Sequence, residues 1–349
     1  MLKKANEAEQ MRFRSVKPQA VTTTPTEAWV KSGRLKPDEA LPLVVEPKLE
    51  GVDLIEWVST HRPVVEANLL DHGAILFRHF DVSAEAEFEQ FARAISPELT
   101  DYLDQHTPRT RVSGFVYTST EYPADHYIPF HSENSKNHTW PMKIWFFCIK
   151  PAEQGGETPI ADNRKVFNLI DPKIRQRFID KRVTYVRNFG EGVGLPWQAA
   201  FQTSERSVVE EHCRRNQMEF IWKDDNRLRV SHVCQSVARH PRTGEMVWFN
   251  QAHLFHVAGL APSVRESLLS LFKEEDLPSN AYYGDRSRIE DSVIEEIRAA
   301  YDQVAVSFRW QANDILMLEN MLVSHGRAPY VGTRKVLVAM AEASDATKL

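Results

Sequence analysis

The sequence predicts an α+β fold, in which helices and strands occupy different parts of the chain. Apolar residues at helical spacing dominate the first hundred residues, with one short apolar strand at 74–77. Three segments rich in aromatic and β-branched residues then predict strands over 115–119, 127–131 and 143–149. Strand patterns return near the end of the chain, after a stretch in which helical patterns prevail.

The composition is that of an ordinary globular protein, and it excludes some classes of function. The 349 residues are 42% hydrophobic and 26% charged, with a formal net charge of −5. This charge offers no broad basic surface to nucleic acid or to an anionic membrane. No apolar run has the length of a membrane span, and we expect no signal peptide, because no apolar segment follows the basic N-terminus. The three cysteines are widely spaced, which excludes a CxxC zinc motif and favours a reduced, cytoplasmic setting.

The first hundred residues predict a helical shell around a short strand. Residues 53–70 carry apolar side chains at helical spacing, and Gly73 is placed to end that helix. The apolar strand at 74–77 follows directly. Ser83 is a suitable N-cap for the next helix, because two glutamates in its first turn would face the positive end of the helix dipole.

The rest of the chain alternates between helical and strand patterns. The predicted helices cover residues 162–181 with a break near Asp171-Pro172, 204–217, 262–275 and 289–303. The predicted later strands cover residues 183–189, 304–310, 314–319 and 334–340.

The chain divides into an arm and a single domain. Residues 1–45 are polar with scattered prolines, which predicts an N-terminal arm lying over the body. Residues 46–349 predict one domain, because no internal repeat or low-complexity linker interrupts them. Within that domain, residues at about 190–300 predict a large helical insertion between the early and the late strands.

A possible metal site is formed by His131, Glu133 and His325. If the segment around His131 is extended, His131 and Glu133 point to the same side of the strand. Two imidazoles and one carboxylate are the facial triad of non-haem Fe(II) oxygenases, although the same donors suit other divalent ions. An isolated His-x-Glu pair is more often a surface hydrogen-bonding pair, and a lone histidine is more often packed or capping. The iron hypothesis therefore depends on the neighbouring residues.

Two further residues offer an anchor for a carboxylate. Arg334 begins the last predicted strand, and its guanidinium can bind the far carboxylate of a dicarboxylate that chelates the metal. Thr158 follows the pair Gly155-Gly156, where the backbone can approach a ligand closely and a hydroxyl can donate to the same carboxylate. Taken singly, Arg334 would be a surface residue at a strand end and Thr158 part of a plain turn.

Several separated motifs agree in their order along the chain. They are HSEN at 131–134, GGETPIAD at 155–162, WFNQAHLFH at 248–256 and NMLVSHGRAPYVGTRKVLVAM at 320–340. In these motifs the sequence resembles the TauD/TfdA-like Fe(II)/2-oxoglutarate-dependent dioxygenases. It resembles most closely the SyrP-like amino acid hydroxylases, which are clavaminate synthase-like. The resemblance extends from about residue 70 to residue 340.

The resemblance implies a fold, a cofactor and a reaction. The fold is a double-stranded β-helix, a jelly-roll form, with flanking helices. The metal ligands are His131, Glu133 and His325, and Thr158 and Arg334 contact 2-oxoglutarate. The cofactor is Fe(II), and 2-oxoglutarate and O2 are co-substrates whose consumption drives hydroxylation of the substrate. Glu133 favours hydroxylation over halogenation, because halogenases of this fold have a small residue there; desaturation and cyclisation stay open.

The resemblance also implies an amino acid substrate, free or tethered as a thioester to a peptidyl carrier protein, in the biosynthesis of a secondary metabolite such as an antibiotic. Asn134 and Gln251 are candidate substrate contacts, because one follows the metal pair and the other belongs to a polar cluster after an apolar strand. Arg109 and Arg111 precede the metal strand and would suit an anionic substrate, although a solvated loop would hold them equally well.

The nearest alternative is the same oxygenase class acting on another small molecule by desaturation or cyclisation. An alternative of a different class is a jelly-roll metal-binding protein that holds zinc or manganese and activates no O2, or a non-catalytic relative. Arg334 and Thr158 discriminate between an oxygenase and a simple metal-binding protein. A simple metal-binding protein would have no use for a carboxylate anchor beside its metal.

Overall fold

The computed structural model describes residues 29–37, 39–101, 110–120, 122–190, 194–223 and 226–348. Helices and strands are mixed over these residues, which confirms the α+β prediction in its coarse form. Within the described ranges, no helix is both long enough and apolar enough to cross a membrane.

The helices and strands are numbered in chain order. The strands are β1 (Val30–Arg34), β2 (Leu43–Pro47), β3 (Ala74–Phe77), β4 (Arg111–Ser113), β5 (Val116–Thr118), β6 (Ile128–His131), β7 (Thr139–Lys150), β8 (Gln154–Gly155), β9 (Ile160–Asp162), β10 (Val183–Phe189), β11 (Glu219–Trp222), β12 (Leu228–Cys234), β13 (Val237–Arg239), β14 (Met246–Trp248), β15 (Ser279–Tyr283), β16 (Ile315–Glu319), β17 (Val323–Arg327), β18 (Tyr330–Val331) and β19 (Lys335–Asp345). The α-helices are α1 (Leu54–Thr60), α2 (Arg62–His72), α3 (Glu85–Ile95), α4 (Asn163–Leu169), α5 (Pro172–Lys181), α6 (Trp197–Phe201), α7 (Arg206–Arg215), α8 (Ala252–Phe255), α9 (Pro262–Leu271) and α10 (Asp291–Val304).

The N-terminal helices follow the sequence pattern with small shifts. The helix predicted over 53–70 is in fact two, α1 and α2, because Pro63 starts a second helix. Asp53 caps α1 by accepting hydrogen bonds from two backbone N–H groups of its first turn. Gly73 ends α2 as predicted, with a φ of 80° that glycine adopts readily.

The start of α3 differs by one residue from the prediction. Its N-cap is Ala84, and Ser83 lies just outside the helix. The Glu87 carboxylate accepts the backbone N–H groups of both Ser83 and Ala84, so a side chain from the first turn of the helix pairs with the N–H groups that precede it. The apolar face of α3 is buried as predicted.

The largest sheet has eight strands in the order β1-β2-β3-β16-β7-β19-β5-β4. Side chains alternate across its central strand β7. Trp145 and Phe147 belong to the apolar core shared with α1, α2 and α3, whereas Ile144 and Phe146 belong to the core on the opposite face. The helical shell therefore covers one face of the sheet and leaves the other to a second layer of strands.

The second layer places the histidines that the sequence singles out. It contains a three-stranded sheet in the order β6-β17-β9 and a two-stranded sheet of β18 and β8. Phe146, from the large sheet, lies with its ring centroid 4.9 Å from that of His325 on β17. The predicted strand at 127–131 corresponds to β6, which carries His131 at its last position. The space between the two layers is therefore the place where the site forms.

The sequence predicts a helical insertion at 190–300, whereas the structure also contains strands there. Strands β11, β12 and β15 lie in this range and join β10, which precedes it, in a separate sheet with the order β11-β12-β10-β15. Residues 219–222 of β11 alternate between exposed and half-buried side chains, and β12 carries the polar residues Arg229, Ser231 and His232 among its apolar ones. These strands are polar on one face, and that polarity weakens the strand signal in the sequence.

Two other expectations need correction. The part of the predicted arm that the structure describes, 29–37 and 39–45, contains β1 and the start of β2, which lie at an edge of the largest sheet, and residues 1–28 lie outside the described residues. The strand predicted at 304–310 is wrong, because this segment pairs only through an isolated bridge between Val306 and Ile160. Its alternating apolar residues are buried, which explains the pattern.

Candidate active site

Two histidines face each other across adjacent strands. His131 is the last residue of β6 and His325 is the middle residue of β17, and the two are direct partners in the antiparallel register. Their ring centroids lie 4.4 Å apart, with the ring planes inclined by 51°. Cross-strand partners present their side chains on the same face. The fold thus brings together two imidazoles that are distant in the sequence.

Glu133 completes the cluster from a turn and not from a strand. β6 ends at His131, and Glu133 lies in the turn that follows, so the expected extended geometry through Glu133 is wrong. Asn134 adopts a left-handed conformation with φ 58°, which turns the chain immediately after the carboxylate. Ligand atoms of His131, Glu133 and His325 nevertheless all lie within 4.8 Å of one another. The predicted triad converges in space.

The orientation of His131 is fixed by its own strand. The Nδ1 atom lies 2.9 Å from the Pro129 carbonyl oxygen, which can only accept, so Nδ1 carries a proton and donates it. The lone pair of the neutral ring is then on Nε2, the usual arrangement when the second nitrogen of a histidine binds a metal. Nitrogen and carboxylate donors in this arrangement fit a divalent transition metal.

A single side chain holds the backbone on both sides of Glu133. Asn320 Oδ1 accepts the Glu133 N–H at 2.7 Å, and Asn320 Nδ2 donates to the Glu133 carbonyl at 2.9 Å. The same Nδ2 also donates to the Pro141 carbonyl at 2.8 Å. Asn320 follows β16 directly and is fully buried. The turn that carries Glu133 is therefore tied to the large sheet, a contact that the sequence alone did not reveal.

A buried polar triad connects the two strands that carry the histidines. The hydroxyls of Ser132 and Ser324 lie 3.1 Å apart, next to His131 and His325 respectively. Asn163 donates to Ser132 Oγ at 3.0 Å and accepts from Ser324 Oγ at 2.7 Å. Buried polar groups that are fully paired make a network rigid. Because Ser132 and Ser324 are neighbours of the two histidines in the sequence, this triad fixes the relative position of His131 and His325.

Gln251 and His253 connect the same segment to the insertion. Gln251 Nε2 donates to the Ser132 carbonyl at 2.8 Å, and His253 Nε2 lies 2.8 Å from the Phe130 carbonyl oxygen. Burial lowers the pKa of His253 to about 4, so the ring is neutral at physiological pH and Nε2 is the donor. The polar cluster that the sequence singled out is thus largely structural, although Gln251 also lines a cavity.

Arg334 and Thr158 lie side by side at one end of the site. Arg334 Nε donates to the Gly156 carbonyl at 2.8 Å, and Nη2 lies 3.3 Å from Thr158 Oγ1. Burial lowers the pKa of Arg334 to about 10. Among the residues that the structure describes, no carboxylate forms a salt bridge with this guanidinium. A partly buried cation of this kind favours an anionic ligand.

The hydroxyl of Thr158 is held so that it can donate to a ligand. Its oxygen accepts from Trp310 Nε1 at 3.1 Å and from Arg334 Nη2 at 3.3 Å. Since both neighbours can only donate, the hydroxyl proton must point elsewhere. A small cavity lies beside it and is lined by both histidines of the cluster, Thr158 and Arg334. Trp310 is buried, and its indole N–H also fixes the Thr158 hydroxyl.

Gly156 serves a purpose different from the one expected. It adopts φ +74°, and a Cβ atom at this position would lie 3.0 Å from Arg334 Cδ. The glycine therefore makes room for the arginine and not for a ligand directly. The neighbouring Gly155 allows close approach to the Pro329 carbonyl, where β8 pairs with β18.

A second and larger cavity opens on the other side of His131. Its volume is about 420 Å³, and His131, Glu133, Asn134 and Gln251 all line it. Two of the four predicted substrate contacts, Asn134 and Gln251, are thus adjacent to the cluster. His131 lines both cavities, so a molecule in either one approaches the same point.

Two arginines, Arg109 and Arg111, are predicted substrate contacts, and the structure describes only the second of them. Arg111 forms an ion pair with Asp101 at 2.6 Å, and its guanidinium lies over the Tyr117 ring. Its side chain is 54% exposed and lines neither cavity, so the structure does not place it at the site. Arg109 lies outside the described residues.

Known proteins are similar to this chain over most of their length. The dapdiamide synthesis protein DdaC of Enterobacter agglomerans is 42% identical over 286 residues, which cover 82% of this chain and 87% of that protein. A clavaminate synthase-like protein of Arabidopsis thaliana is 25% identical over 319 residues, which cover 87% of this chain and 91% of that protein.

Solved structures share the fold at low sequence identity. PvcB of Pseudomonas aeruginosa is 14% identical, with a TM-score of 0.55 over 95% of this chain and 94% of that chain. A structure of AAD-2 with Mn(II) and N-oxalylglycine is 11% identical, with a TM-score of 0.52 over 90% of this chain and 98% of that chain. At these identities the likeness concerns the fold alone.

The family comparison agrees with the resemblance seen in the sequence motifs. Residues 36–340 match the family described as taurine catabolism dioxygenase TauD, TfdA family. The alternative of a metal-binding protein without O2 chemistry is therefore set aside. The chain belongs to the TauD/TfdA family, and it is an Fe(II)-dependent dioxygenase with 2-oxoglutarate and O2 as co-substrates.

Proposed function

We propose that this dioxygenase hydroxylates an amino acid, free or tethered to a peptidyl carrier protein, in the biosynthesis of a secondary metabolite. His131, Glu133 and His325 are the proposed iron ligands. The observation that carries the proposal is the convergence of their ligand atoms within 4.8 Å, between a small cavity that ends at Arg334 and a large one. We also propose that the two facing strand layers are the double-stranded β-helix expected from the motifs.

Fe(II) and 2-oxoglutarate, when bound, supply O2-dependent chemistry that couples oxidative decarboxylation of the co-substrate to oxidation of the substrate. The role of the chain is to hold and to orient. Three protein ligands leave the other coordination positions to small molecules. The hydrogen bond from His131 to Pro129, and those from Asn320 to the Glu133 backbone, keep the ligands in one geometry.

Thr158 and Arg334 are the proposed anchor for the far carboxylate of 2-oxoglutarate. The guanidinium supplies charge and paired N–H donors, and the Thr158 hydroxyl supplies a further donor. They share with His131 and His325 a small cavity of about 30 Å³, whose walls also include Phe146.

The choice of reaction rests on Glu133 and on the relatives. A carboxylate at that position fills the ligand place that a halide would need, which favours hydroxylation, with desaturation or cyclisation as alternative outcomes at the same site. The 42%-identical relative bears the name of a dapdiamide synthesis protein, which supports a biosynthetic role for this chain as well. A carrier-tethered substrate is a further possibility within the same proposal.

The test combines spectroscopy with product analysis. Under anaerobic conditions, Fe(II) and 2-oxoglutarate should give a metal-to-ligand charge-transfer band with the wild-type protein and none with Glu133→Ala. With O2 added, a panel of free amino acids and aminoacyl thioesters should then be screened by mass spectrometry for the addition of one oxygen atom. Addition to thioesters alone would establish tethering. Absence of the band in the wild type would contradict the ligand assignment, and products lacking added oxygen would contradict hydroxylation.

A further inference from the structure

The side-chain amide of Gln251 is held in one orientation. Its Nε2 atom lies 2.8 Å from the Ser132 carbonyl oxygen and 3.2 Å from Ser135 Oγ. Ser135 Oγ donates its own proton to the Ser132 carbonyl at 3.0 Å, so both neighbours of the amide accept and neither donates to it. The nitrogen of the Gln251 amide therefore belongs on this side, and the oxygen Oε1 on the other.

The oxygen of the Gln251 amide is left without a donor. Within the part of the chain that the structure describes, no N–H or O–H group donates to Oε1. The residue is 4% exposed, and it lines the cavity of about 420 Å³ that His131 and Glu133 also line. A partner for Oε1 would therefore come from this cavity. Since an amide oxygen only accepts, that partner has to be a donor.

Asn188 repeats this arrangement on another element. It lies on β10, is 5% exposed and lines the same cavity. Its Nδ2 atom donates to the carbonyls of Glu275 at 3.1 Å and Leu277 at 2.8 Å, which fixes the orientation of the amide. Its Oδ1 atom is buried and has no hydrogen-bond partner among the described residues. An unpaired buried acceptor is unfavourable, and a ligand that donates to it would remove this penalty.

Two amide oxygens with fixed orientation select the chemistry of a ligand. A carboxylate, ester or thioester oxygen offers lone pairs only, so it finds no partner in Gln251 Oε1 or Asn188 Oδ1. An amino group or a primary carboxamide brings at least two N–H donors. Lys136 and Arg187 also line the cavity, but this selection is made by hydrogen bonding and does not depend on their charge. The N–H group can therefore be neutral or charged.

We propose that Gln251 Oε1 and Asn188 Oδ1 form a subsite that accepts hydrogen bonds from N–H groups of the substrate, those of its amino group or of a primary carboxamide. The subsite rests on the proposed function, since the substrate is taken to occupy the cavity beside His131. Gln251 then has two roles. Its nitrogen holds Ser132, the neighbour of His131, and its oxygen recognises the substrate.

The experiment removes N–H groups from the ligand. The probes are the common L-amino acids and their N-acetylcysteamine thioesters. Binding is measured under anaerobic conditions as the perturbation of the charge-transfer band of the Fe(II)–2-oxoglutarate complex of the full chain.

The tightest-binding probe, here called the parent compound, is then compared with analogues that lack N–H groups. They are its deamino analogue, its N,N,N-trimethyl analogue and, where it has a carboxamide, the methyl ketone of the same shape. The analogue that lacks the recognised N–H group should bind about 10-fold or more weakly than the parent compound. A loss with both amine analogues identifies the amino group, and a loss with the ketone identifies the carboxamide.

Pairs of protein variants separate the acceptor from the other contacts of each amide. Gln251→Met and Gln251→Glu both lose the hydrogen bonds to Ser132 and Ser135, but only Gln251→Met loses the acceptor. Gln251→Glu should therefore bind the parent compound about 10-fold or more tightly than Gln251→Met does. Asn188→Asp and Asn188→Leu form the same kind of pair. A purely structural role of either amide would give equal affinities within its pair.

The analogue that lacks the recognised N–H group provides a second comparison. With this analogue, Gln251→Glu should lose its advantage over Gln251→Met, because no N–H group is left to use the acceptor. The matched control is Gln176→Met, since Gln176 is exposed on α5 and its amide donates to Asp180. Its affinity for the parent compound should equal that of the wild type.

Two kinds of result would overturn the subsite. The first is that every analogue binds as tightly as the parent compound, or that no probe perturbs the band. The second is that the two members of each variant pair bind the parent compound equally well. Failure of the proposed function itself has a different signature, because the charge-transfer band of the wild type with Fe(II) and 2-oxoglutarate would then be missing before any amino acid is added.

Discussion

The two cavities that meet at His131 are built from different parts of the fold. The small cavity is walled by strands of the two facing layers: His325 on β17, Phe146 on β7 and Arg334 just before β19. The large cavity is walled by the turn after β6, by Arg187 on β10 and by Gln251, which lies in the predicted insertion. The part of the site around the small cavity is here called the scaffold half, and the part around the large cavity the inserted half.

A single reaction chemistry can serve many substrates when the two halves of the site are built separately. The co-substrate is the same in every turnover, so its proposed anchor is suited to rigid strands and to contacts such as that of Arg334 with Gly156. The substrate varies between enzymes of one fold, so its contacts are suited to segments that can change without disturbing the proposed metal ligands. This division predicts that substitutions in one half leave binding in the other half unchanged.

The largest effect is expected for His325→Ala, because His325 is a proposed ligand at the junction of the two halves. Loss of one imidazole removes a third of the protein ligands, so substrate-dependent succinate formation should fall to background. His131→Ala should behave in the same way. His212→Ala, on the exposed side of α7, is the control and should keep full activity. Full turnover by either ligand variant would contradict the triad.

The next largest effect tests whether the two halves act separately. Arg334→Ala should weaken binding of 2-oxoglutarate by about 10-fold to 100-fold, since it removes a charged hydrogen-bonding partner. Titration of the anaerobic Fe(II) complex measures this change. Arg187→Met should leave the affinity for 2-oxoglutarate within about 2-fold of the wild type, because its cavity is the other one.

The matched control for Arg334→Ala is Arg309→Ala. Arg309 is exposed and donates to the Glu153 carbonyl, so its removal should not change binding of the co-substrate. If Arg334→Ala binds 2-oxoglutarate as tightly as the wild type, the anchor is assigned to the wrong residue. If Arg187→Met weakens 2-oxoglutarate binding as strongly as Arg334→Ala, the division between the two halves is wrong.

The scaffold half of the site could be predicted from the sequence, because its signals are short-range motifs with fixed spacing. His131 and Glu133 stand two apart, and Arg334 follows His325 by nine positions within one continuous motif. Strands such as β3 are fully buried and read as plain apolar runs. The extended conformation predicted at Glu133 is nevertheless wrong, because Asn134 turns the chain with a positive φ that strand periodicity does not predict.

The lining of the large cavity could not be predicted, because a single charged residue in a strand or a turn looks like an ordinary surface residue. Arg187 lies in the strand predicted at 183–189, and Arg111 lies in a polar segment. Only the tertiary structure pairs Arg111 with Asp101 and places Arg187 at the cavity. Lys136 lies in a turn, where no periodicity indicates the direction of a side chain. The bracing role of Asn320 was equally hidden, since its partner Glu133 is far away in the sequence.

A smaller effect is expected from loosening the turn that joins the halves. Asn320→Ala removes both hydrogen bonds to the Glu133 backbone, and the third to Pro141, without touching any proposed ligand atom. Residues that orient metal ligands typically change metal affinity by about 10-fold to 100-fold when they are replaced. Anaerobic titration with Fe(II) in the presence of 2-oxoglutarate should show a loss in this range.

The control for Asn320→Ala is Asn216→Ala, whose side-chain amide donates to the His212 carbonyl at the end of α7. A second measurement separates positioning from simple unfolding. At saturating Fe(II), Asn320→Ala should recover most of the wild-type charge-transfer band, which an unfolded protein would not do. Wild-type metal affinity in Asn320→Ala would show that the turn keeps its shape without this brace.

The smallest effect concerns the stability of the inserted half at low pH. Burial lowers the pKa of both His253 and His256 to about 4, below the value of about 6.5 in an unfolded chain. Between these values the unfolded chain binds more protons, so the free energy of unfolding should fall as the pH falls from 6.5 to 4, by about 1 kcal/mol per pH unit for each histidine. His256→Gln should make this dependence shallower in urea unfolding, whereas the exposed His212→Gln should not. An equally steep pH dependence in His256→Gln would show that His256 does not contribute to the acid sensitivity.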